Sequence, residues 1–219
     1  MVVESRIDTV VFDLGGVLIR IARSWKDAHL LAGFDDKHPG VVHQGLAKQS
    51  PRLAREHMSG TIDLTNWARA IKECSDNNYS VDDAIRIMDA WIIAEYPRIR
   101  SVIDTIHDAG IDTAVLSNTN ARHWQLLGAD DRSFNDYPNL AEIHQIHASH
   151  LLGHVKPDPE IYESFTKTAN LGSARILFFD DTMLNIDAAR HYGWAARHID
   201  HTGDTAKQML TALTHHRII

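Results

Sequence analysis

The chain of 219 residues has a single cysteine, Cys74, so no disulfide can form within it and a reducing compartment suits it. Long apolar runs are also missing. The opening residues Met1–Asp8 carry no apolar signal core and no stretch approaches a membrane span, so a cytoplasmic protein that engages no membrane is expected. Positive charge is in deficit, with 22 Lys and Arg against 29 Asp and Glu and a formal net charge of −7. A nucleic-acid or anionic-membrane binder would show a basic face, and neither partner is expected. A small anionic substrate stays compatible, because metal ions and local fields outweigh net charge at a site. There are no internal repeats and no low-complexity tracts. The 44% hydrophobic and 23% charged content is ordinary, which excludes disorder and suffices for one sizeable core with a modest insert.

Three short β-branched and aromatic runs stop at polar residues. Thr9–Phe12 ends at Asp13 before Gly15-Gly16, Thr113–Leu116 ends at Ser117-Asn118, and Ile176–Phe179 ends at Asp180-Asp181. Ile143–Ala148 and Ala195–Ile199 are weaker strand candidates. Between them run helical patterns: Ile99, Val102, Ile103 and Ile106 with Gly110 at the C-terminal end, and Ile161, Phe165 and Ala169 after Pro159. Strands alternating with helices predict an α/β fold with a parallel sheet and right-handed crossovers. From about Ile21 to Trp91 the pattern changes to amphipathic helices with no convincing strand. One of them opens with the capping-box-like Ser80-Val81-Asp82-Asp83, and polar turns at Asp35–Gly40 and Asp76–Ser80 separate neighbours. A helical insert between the first and second core strands is expected.

In open α/β sheets, ligands bind beyond the carboxyl ends of the strands. Asp13, Ser117-Asn118 and Asp180-Asp181 would meet there, joined by Lys156 in Val155-Lys156-Pro157-Asp158-Pro159. That set suits phosphoryl transfer. A carboxylate can attack phosphorus to give an aspartyl-phosphate, and Mg²⁺ prefers carboxylate, carbonyl and water oxygens. A hydroxyl, backbone amides and a lysine can hold the equatorial oxygens, where transition-state charge is spread.

In these motifs the sequence resembles the haloacid dehalogenase-like (HAD) superfamily over essentially its whole length. The segments are Val10-Val11-Phe12-Asp13-Leu14-Gly15-Gly16-Val17-Leu18, Val115-Leu116-Ser117-Asn118, Lys156-Pro157, and Phe178-Phe179-Asp180-Asp181 with Asn185. Leu116-Ser117-Asn118-Thr119-Asn120 and Lys156-Pro157 followed by Ile161-Tyr162 are similar to bacterial glucose-1-phosphate phosphatase-like members. The resemblance implies a HAD-like Rossmannoid core, residues 1–20 and 93–219, with an all-helical cap at 21–92 that closes over a small phosphorylated metabolite. It implies a Mg²⁺-dependent phosphatase, possibly a sugar-phosphate phosphatase, with Asp13 as nucleophile and metal ligand. Gly15 would lend its backbone carbonyl and Asp181, with Asp180 beside it, its carboxylate to the metal. Ser117, Asn118 and Lys156 would bind phosphate, and Asn185 would orient the shell.

One position departs from the pattern. Most phosphatases of the superfamily carry a second aspartate two residues after the nucleophile as general acid and base, and here Gly15 stands there. Such help is typically worth about two to four powers of ten in rate. Three readings are open: a substrate with a good leaving group, such as an anomeric sugar phosphate or an acyl phosphate; a cap residue or water in the missing role; or little turnover. The alternatives to a phosphatase are therefore a ligand-binding or regulatory homologue and a phosphotransferase. Metal-free dehalogenation is disfavoured, because Asp180-Asp181 would repel each other and the nucleophile without a cation.

The remaining candidates carry ordinary structural readings. Asp180-Asp181 would also suit the start of a helix over Leu184–Tyr192. His144, His147, His150 and His154 have superficially metal-like spacing, but on a strand His144 and His147 face opposite ways, so they read as polar surface or loop residues. Trp25, His57, Trp67 and Trp91 in the insert, and Trp124 after the second motif, read as packing, with one or two at a substrate pocket. Cys74 reads as inert packing.

Overall fold

The computed structural model describes residues 7–172 and 175–219. Its centre is strand β1 (Thr9–Phe12), four residues buried on every side. A strand covered on both faces must be apolar throughout rather than alternating, which is why Thr-Val-Val-Phe reads as an unbroken run. It pairs in parallel with β4 (Asp112–Ser117) on one side and β6 (Ile176–Asp180) on the other. The flanks are β5 (Gln145–Ala148) and β7 (Ala195–His198), giving the order β5-β4-β1-β6-β7. The weaker strand expectations hold, with Ile143–Ala148 shortened at its start because a 3₁₀ turn occupies Pro138–Glu142.

Side chains leave the sheet alternately. Val10, Phe12, Val115, Leu177 and Phe179 pack on one face with α5 (Ile99–Asp108) and α10 (Thr205–His215). Val11, Ala114, Leu116, Ile176 and Phe178 pack on the other with α8 (Pro159–Ala169) and α9 (Met183–His191). Each fully buried side chain of this size contributes about 1.5–3 kcal/mol of hydrophobic stabilisation. Pro159 stands in the first turn of α8, where its missing amide leaves nothing unsatisfied.

The insert forms a third cluster. Helices α1 (Trp25–Leu31), α2 (Gln44–Met58), α3 (Leu64–Cys74) and α4 (Val81–Asp89) bury Leu46, Leu53, Trp67, Ile71, Tyr79 and Ile87 among themselves. Ser24, Asp63 and Ser80 each accept an amide of the first turn, and Ser80 with Asp83 closes a reciprocal capping box. The two chain crossings into the insert are not helical. β2 (Ile19–Ile21) and β3 (Ile92–Glu95) pair antiparallel as a narrow ribbon, a pair of strands absent from the sequence reading. A strand of three residues is too short for an alternating pattern to register. Among the described residues no helix is long and apolar enough to cross a membrane.

Candidate active site

Three neighbouring parallel strands end side by side, about 4.8 Å apart. β1 delivers Asp13, whose amide still donates to the Phe179 carbonyl at 2.8 Å. β4 ends on Ser117, and β6 ends on Asp180 with Asp181 beyond it. The loop after α7 (Ser149–Leu152) brings up Lys156, whose peptide bond to Pro157 is cis.

Lys156 is the hub. Its ammonium is wholly buried and donates to Asp180 Oδ2 at 2.7 Å and to the Leu116 carbonyl at 2.8 Å, and it pairs with Asp13 Oδ1 at 2.9 Å. All three of its protons therefore have acceptors. Burial alone would push this ammonium down, but Asp13 and Asp180 more than offset it and hold Lys156 above the usual lysine range. Burial pushes the Asp13 carboxyl up; Lys156 opposes the rise and Asp180 and Asp181 add to it, leaving it at about 7.

Asp180 is fully buried and saturated. Its oxygens accept from Lys156, from the Thr182 amide at 2.8 Å, and from Asn185 Nδ2 at 3.0 and 3.1 Å. Its side chain points into the centre, and neither acid lies in the first turn of α9, which Thr182 caps. Asp181 is taken by a residue absent from the sequence reading: Arg23 donates to its Oδ2 at 2.6 Å. Arg23 sits just past β2, and no spacing relates it to Asp181.

Asn118 exchanges two hydrogen bonds with the Lys156 backbone. Its Oδ1 accepts the Lys156 amide and its Nδ2 donates to the Lys156 carbonyl, both at 2.8 Å. The structure thus gives its side chain a positioning part, holding the loop that carries the ammonium. Ser117 is 3% exposed, and its hydroxyl has no partner among the described residues. The Leu14 carbonyl accepts the amides of Val17, Leu18 and Ile19, whereas the Gly15 carbonyl receives none of them.

One oxygen from each of Asp13, Asp180 and Asp181 lies within 4.8 Å of the others, the only such acidic or histidine group among the described residues. Three carboxylates against one buried ammonium and one arginine leave local negative charge, and an all-oxygen donor set fits a hard divalent cation. The histidines form no such group. His144 stacks on His107 while His147 meets Phe165 across the sheet, on opposite faces as expected of a strand.

Between these loops and the insert lies a cavity of about 370 Å³, with Leu14, Gly15 and Ser117–Asn120 on the core side. Trp25, His57, Trp67 and Trp91, expected to contribute one or two pocket residues, all line it, whereas Trp124 is buried in the core. The insert is tied down over the cavity. Ser149 Oγ accepts the Thr119 amide at 2.9 Å and lies 2.6 Å from the Met58 carbonyl. Arg122 grips Asp89 with two bonds of 2.7 Å, and Arg55 pairs with Asp158. The sequence groups His57 with these aromatics without saying which reach the pocket; its place on the apolar stripe of α2, four residues after Leu53, shows a buried face but not what it faces.

An aspartate at the end of the central strand, a buried lysine on it, and acids at the end of the next strand thus meet at the carboxyl edge of the sheet. The chain belongs to the haloacid dehalogenase-like hydrolase family, whose model matches residues 7–193. Among curated proteins it is 22% identical to a D-ribitol-5-phosphate phosphatase from Bacteroides thetaiotaomicron, over 94% of this chain and 98% of the relative. It is 25% identical to a phosphatase from Mycobacterium tuberculosis, over 91% and 90% of the two chains. A HAD family enzyme from Bacteroides thetaiotaomicron, solved in complex with magnesium, superposes with a TM-score of 0.73 at 19% identity, over 90% of this chain and 96% of that one.

Proposed function

We propose that this chain is a Mg²⁺-dependent phosphatase for small phosphate monoesters, with Asp13 as the nucleophile. The observation that carries the reading is the Lys156 ammonium, buried between Asp13 and Asp180, while the neighbouring residues Leu14, Gly15 and Ser117 line the cavity. The two phosphatase relatives and the magnesium complex support it. An Asp13 oxygen bonds to phosphorus as the ester oxygen leaves with its electron pair, and water then releases phosphate from the aspartyl-phosphate. The free Ser117 hydroxyl holds one equatorial oxygen, and Lys156 holds another by exchanging its bond to Asp13 for one to the phosphate as Asp13 attacks, with Asn118 keeping the Lys156 loop in place. Asp13, Asp181 and the Gly15 carbonyl would hold the cation, with Asp180 beside it and Asn185 fixing Asp180. Bound there, Mg²⁺ supplies the positive charge that lets a phosphate dianion approach the acidic cluster.

Residues 21–92 act as the cap and 1–20 with 93–219 as the core. Closure over the ester excludes bulk water and selects the alcohol part. Gly15 bears no acid, so esters with good leaving groups are favoured; a sugar phosphate attached at its anomeric oxygen is one such class and an acyl phosphate another. The same glycine favours the competing readings, a phosphotransferase or a low-turnover binder. Phosphate release from a panel of esters, with and without Mg²⁺ and with Asp13→Asn beside the wild type, separates them. Turnover that requires both metal and Asp13 supports the phosphatase, a rate that rises with an added alcohol acceptor supports transfer, and silence across the panel supports the binder.

A further inference from the structure

The walls of the cavity carry no charged Asp, Glu, Lys or Arg side chain among the described residues. Trp25, Trp67 and Trp91 present aromatic surface, and Ile21, Met58 and Met88 add aliphatic and thioether surface. Its two histidines differ. His123 is spent, with Nε2 at 2.8 Å from the Met88 carbonyl and Nδ1 at 3.3 Å from the Asn120 amide. His57 is 3% exposed, stacks on Trp67 at 5.3 Å between ring centroids, and leaves a buried Nδ1 with no partner among the described residues.

A polyol would bring several hydroxyls into this chamber. Each hydroxyl buried without a partner weakens binding by about tenfold or more. Asn118 is committed to Lys156 and Asn120 to α6 (Ala121–Leu126), whose first turn it caps. Beside His57, only the single hydroxyls of Ser50, Ser117 and Thr119 and the unpartnered Trp25 indole nitrogen remain among the described residues, with no free side-chain amide or carboxylate to pair the adjacent hydroxyls of a sugar. A flat ring between indoles has no such need. Leaving-group chemistry points the same way. A phenolic hydroxyl ionises near about 10, far below an alkanol, so its oxygen departs without the proton that Gly15 cannot give.

We propose that the chamber takes the monophosphate of an uncharged, largely apolar ring alcohol, an aryl phosphate, and that His57 is the specificity-determining contact for a polar substituent on that ring. The inference rests on the phosphatase reading and names its substrate class. The Asp13–phosphorus bond forms as the bond from phosphorus to the aryl oxygen breaks, and the electron pair leaves on a phenolate that takes its proton from solvent. Water then bonds to phosphorus as the bond from phosphorus to the Asp13 oxygen breaks; both its protons leave on the released phosphate, which returns one to solvent.

The test is kcat/KM with Mg²⁺ for 2-naphthyl phosphate, a hydroxy-substituted naphthyl phosphate, glucose 1-phosphate and ribitol 5-phosphate. Beside it, quenching of tryptophan fluorescence by unreactive benzylphosphonate and by glucose 1-phosphate on Asp13→Asn reads the chamber without chemistry. The expected result is at least about tenfold preference for the naphthyl ester over both polyol esters, and tighter binding of benzylphosphonate. A further advantage of about fivefold for the ring hydroxyl should vanish in His57→Leu and partly return in His57→Gln. A polyol ester matching the naphthyl ester overturns the substrate class, and a hydroxyl preference that survives both His57 variants overturns the assignment of His57. If no ester is turned over, the phosphatase reading fails, and the quench alone decides the chamber: tighter benzylphosphonate upholds it and tighter glucose 1-phosphate overturns it.

Discussion

The δ-methyl of Ile21 stands 2.7 Å from the point a Cβ on Gly15 would occupy. The space that an acid two residues after the nucleophile would need is therefore filled by an apolar side chain from the β2–β3 ribbon. The absence of the acid is built into the packing and not confined to one position. Gly15→Asp alone should gain little on a primary alkyl phosphate, because the new carboxyl must displace Ile21. Gly15→Asp with Ile21→Ala should raise that rate by about tenfold or more, toward the range of general acid catalysis. Equal rates in the single and double variants would show that Ile21 does not control the position.

Lys156 compensates two buried carboxylates at once. Removing one partner of a buried ion pair leaves uncompensated charge and costs about 3–5 kcal/mol. Lys156→Met should therefore lower the melting temperature by on the order of 10 °C as well as abolish phosphate release. Lys156→Arg should fail to rescue activity, since a planar guanidinium does not fit the three acceptors met by one ammonium. Thermal unfolding followed by circular dichroism checks this; a melting temperature within about 2 °C of wild type for Lys156→Met would sink the idea that the pair is structurally required.

Arg23 occupies Asp181 Oδ2, so under the proposed function it would compete with a cation for that carboxylate. The pair is 2.6 Å long, with the arginine side chain 34% exposed and the carboxylate 7% exposed, so its contribution is that of a partly screened ion pair. Freeing Asp181 with Arg23→Gln should tighten Mg²⁺ binding by about two- to fivefold. Gly16→Ala should act in the opposite direction. Gly16 has φ +83°, and a Cβ there would lie 2.2 Å from Asp181 Oδ2. Mg²⁺ titrations of intrinsic fluorescence read both variants, and looser binding in Arg23→Gln would contradict the competition.

The strand-end residues were legible in the sequence for a physical reason. Buried parallel strands are written as short continuous apolar runs, and the residues just past them must lie at the carboxyl edge, so Asp13, Ser117 and Asp180 could be placed without coordinates. Lys156 came from the family resemblance and its proline-framed loop. Arg23 and Ile21 could not be read, because the partner of Arg23 lies 158 residues away at Asp181 and that of Ile21 across the loop at Gly15. The hydrogen bonds of Asn118 to a loop 38 residues on were equally invisible, since an asparagine after a strand looks the same whether it binds a ligand or a backbone. The helices of the insert were visible as amphipathic stretches, but which of their side chains turn toward the core depends on docking, and periodicity records only that a face is apolar.

His57 should make the protein acid-sensitive. Burial, together with His123 and His150 and against the weaker pull of Asp63, holds its imidazole down at about 4 from an ordinary value of 6.5. A depressed value means that the folded state binds fewer protons than the unfolded chain between those limits. The associated stability is therefore present above about pH 6.5 and is lost as the pH falls toward 4, by on the order of 2–3 kcal/mol. His57→Leu removes the titrating group and keeps the ring's apolar contact with Trp67, so the variant should lose less stability than wild type on acidification. Urea midpoints at pH 7.5 and pH 4.5 for the two proteins measure this. A smaller loss in His57→Leu supports the linkage, because the other carboxylates and histidines titrate equally in both proteins. Parallel losses would mean that the imidazole already gains a proton in the folded state without cost, and that its surroundings are wetter than a stack on Trp67 implies.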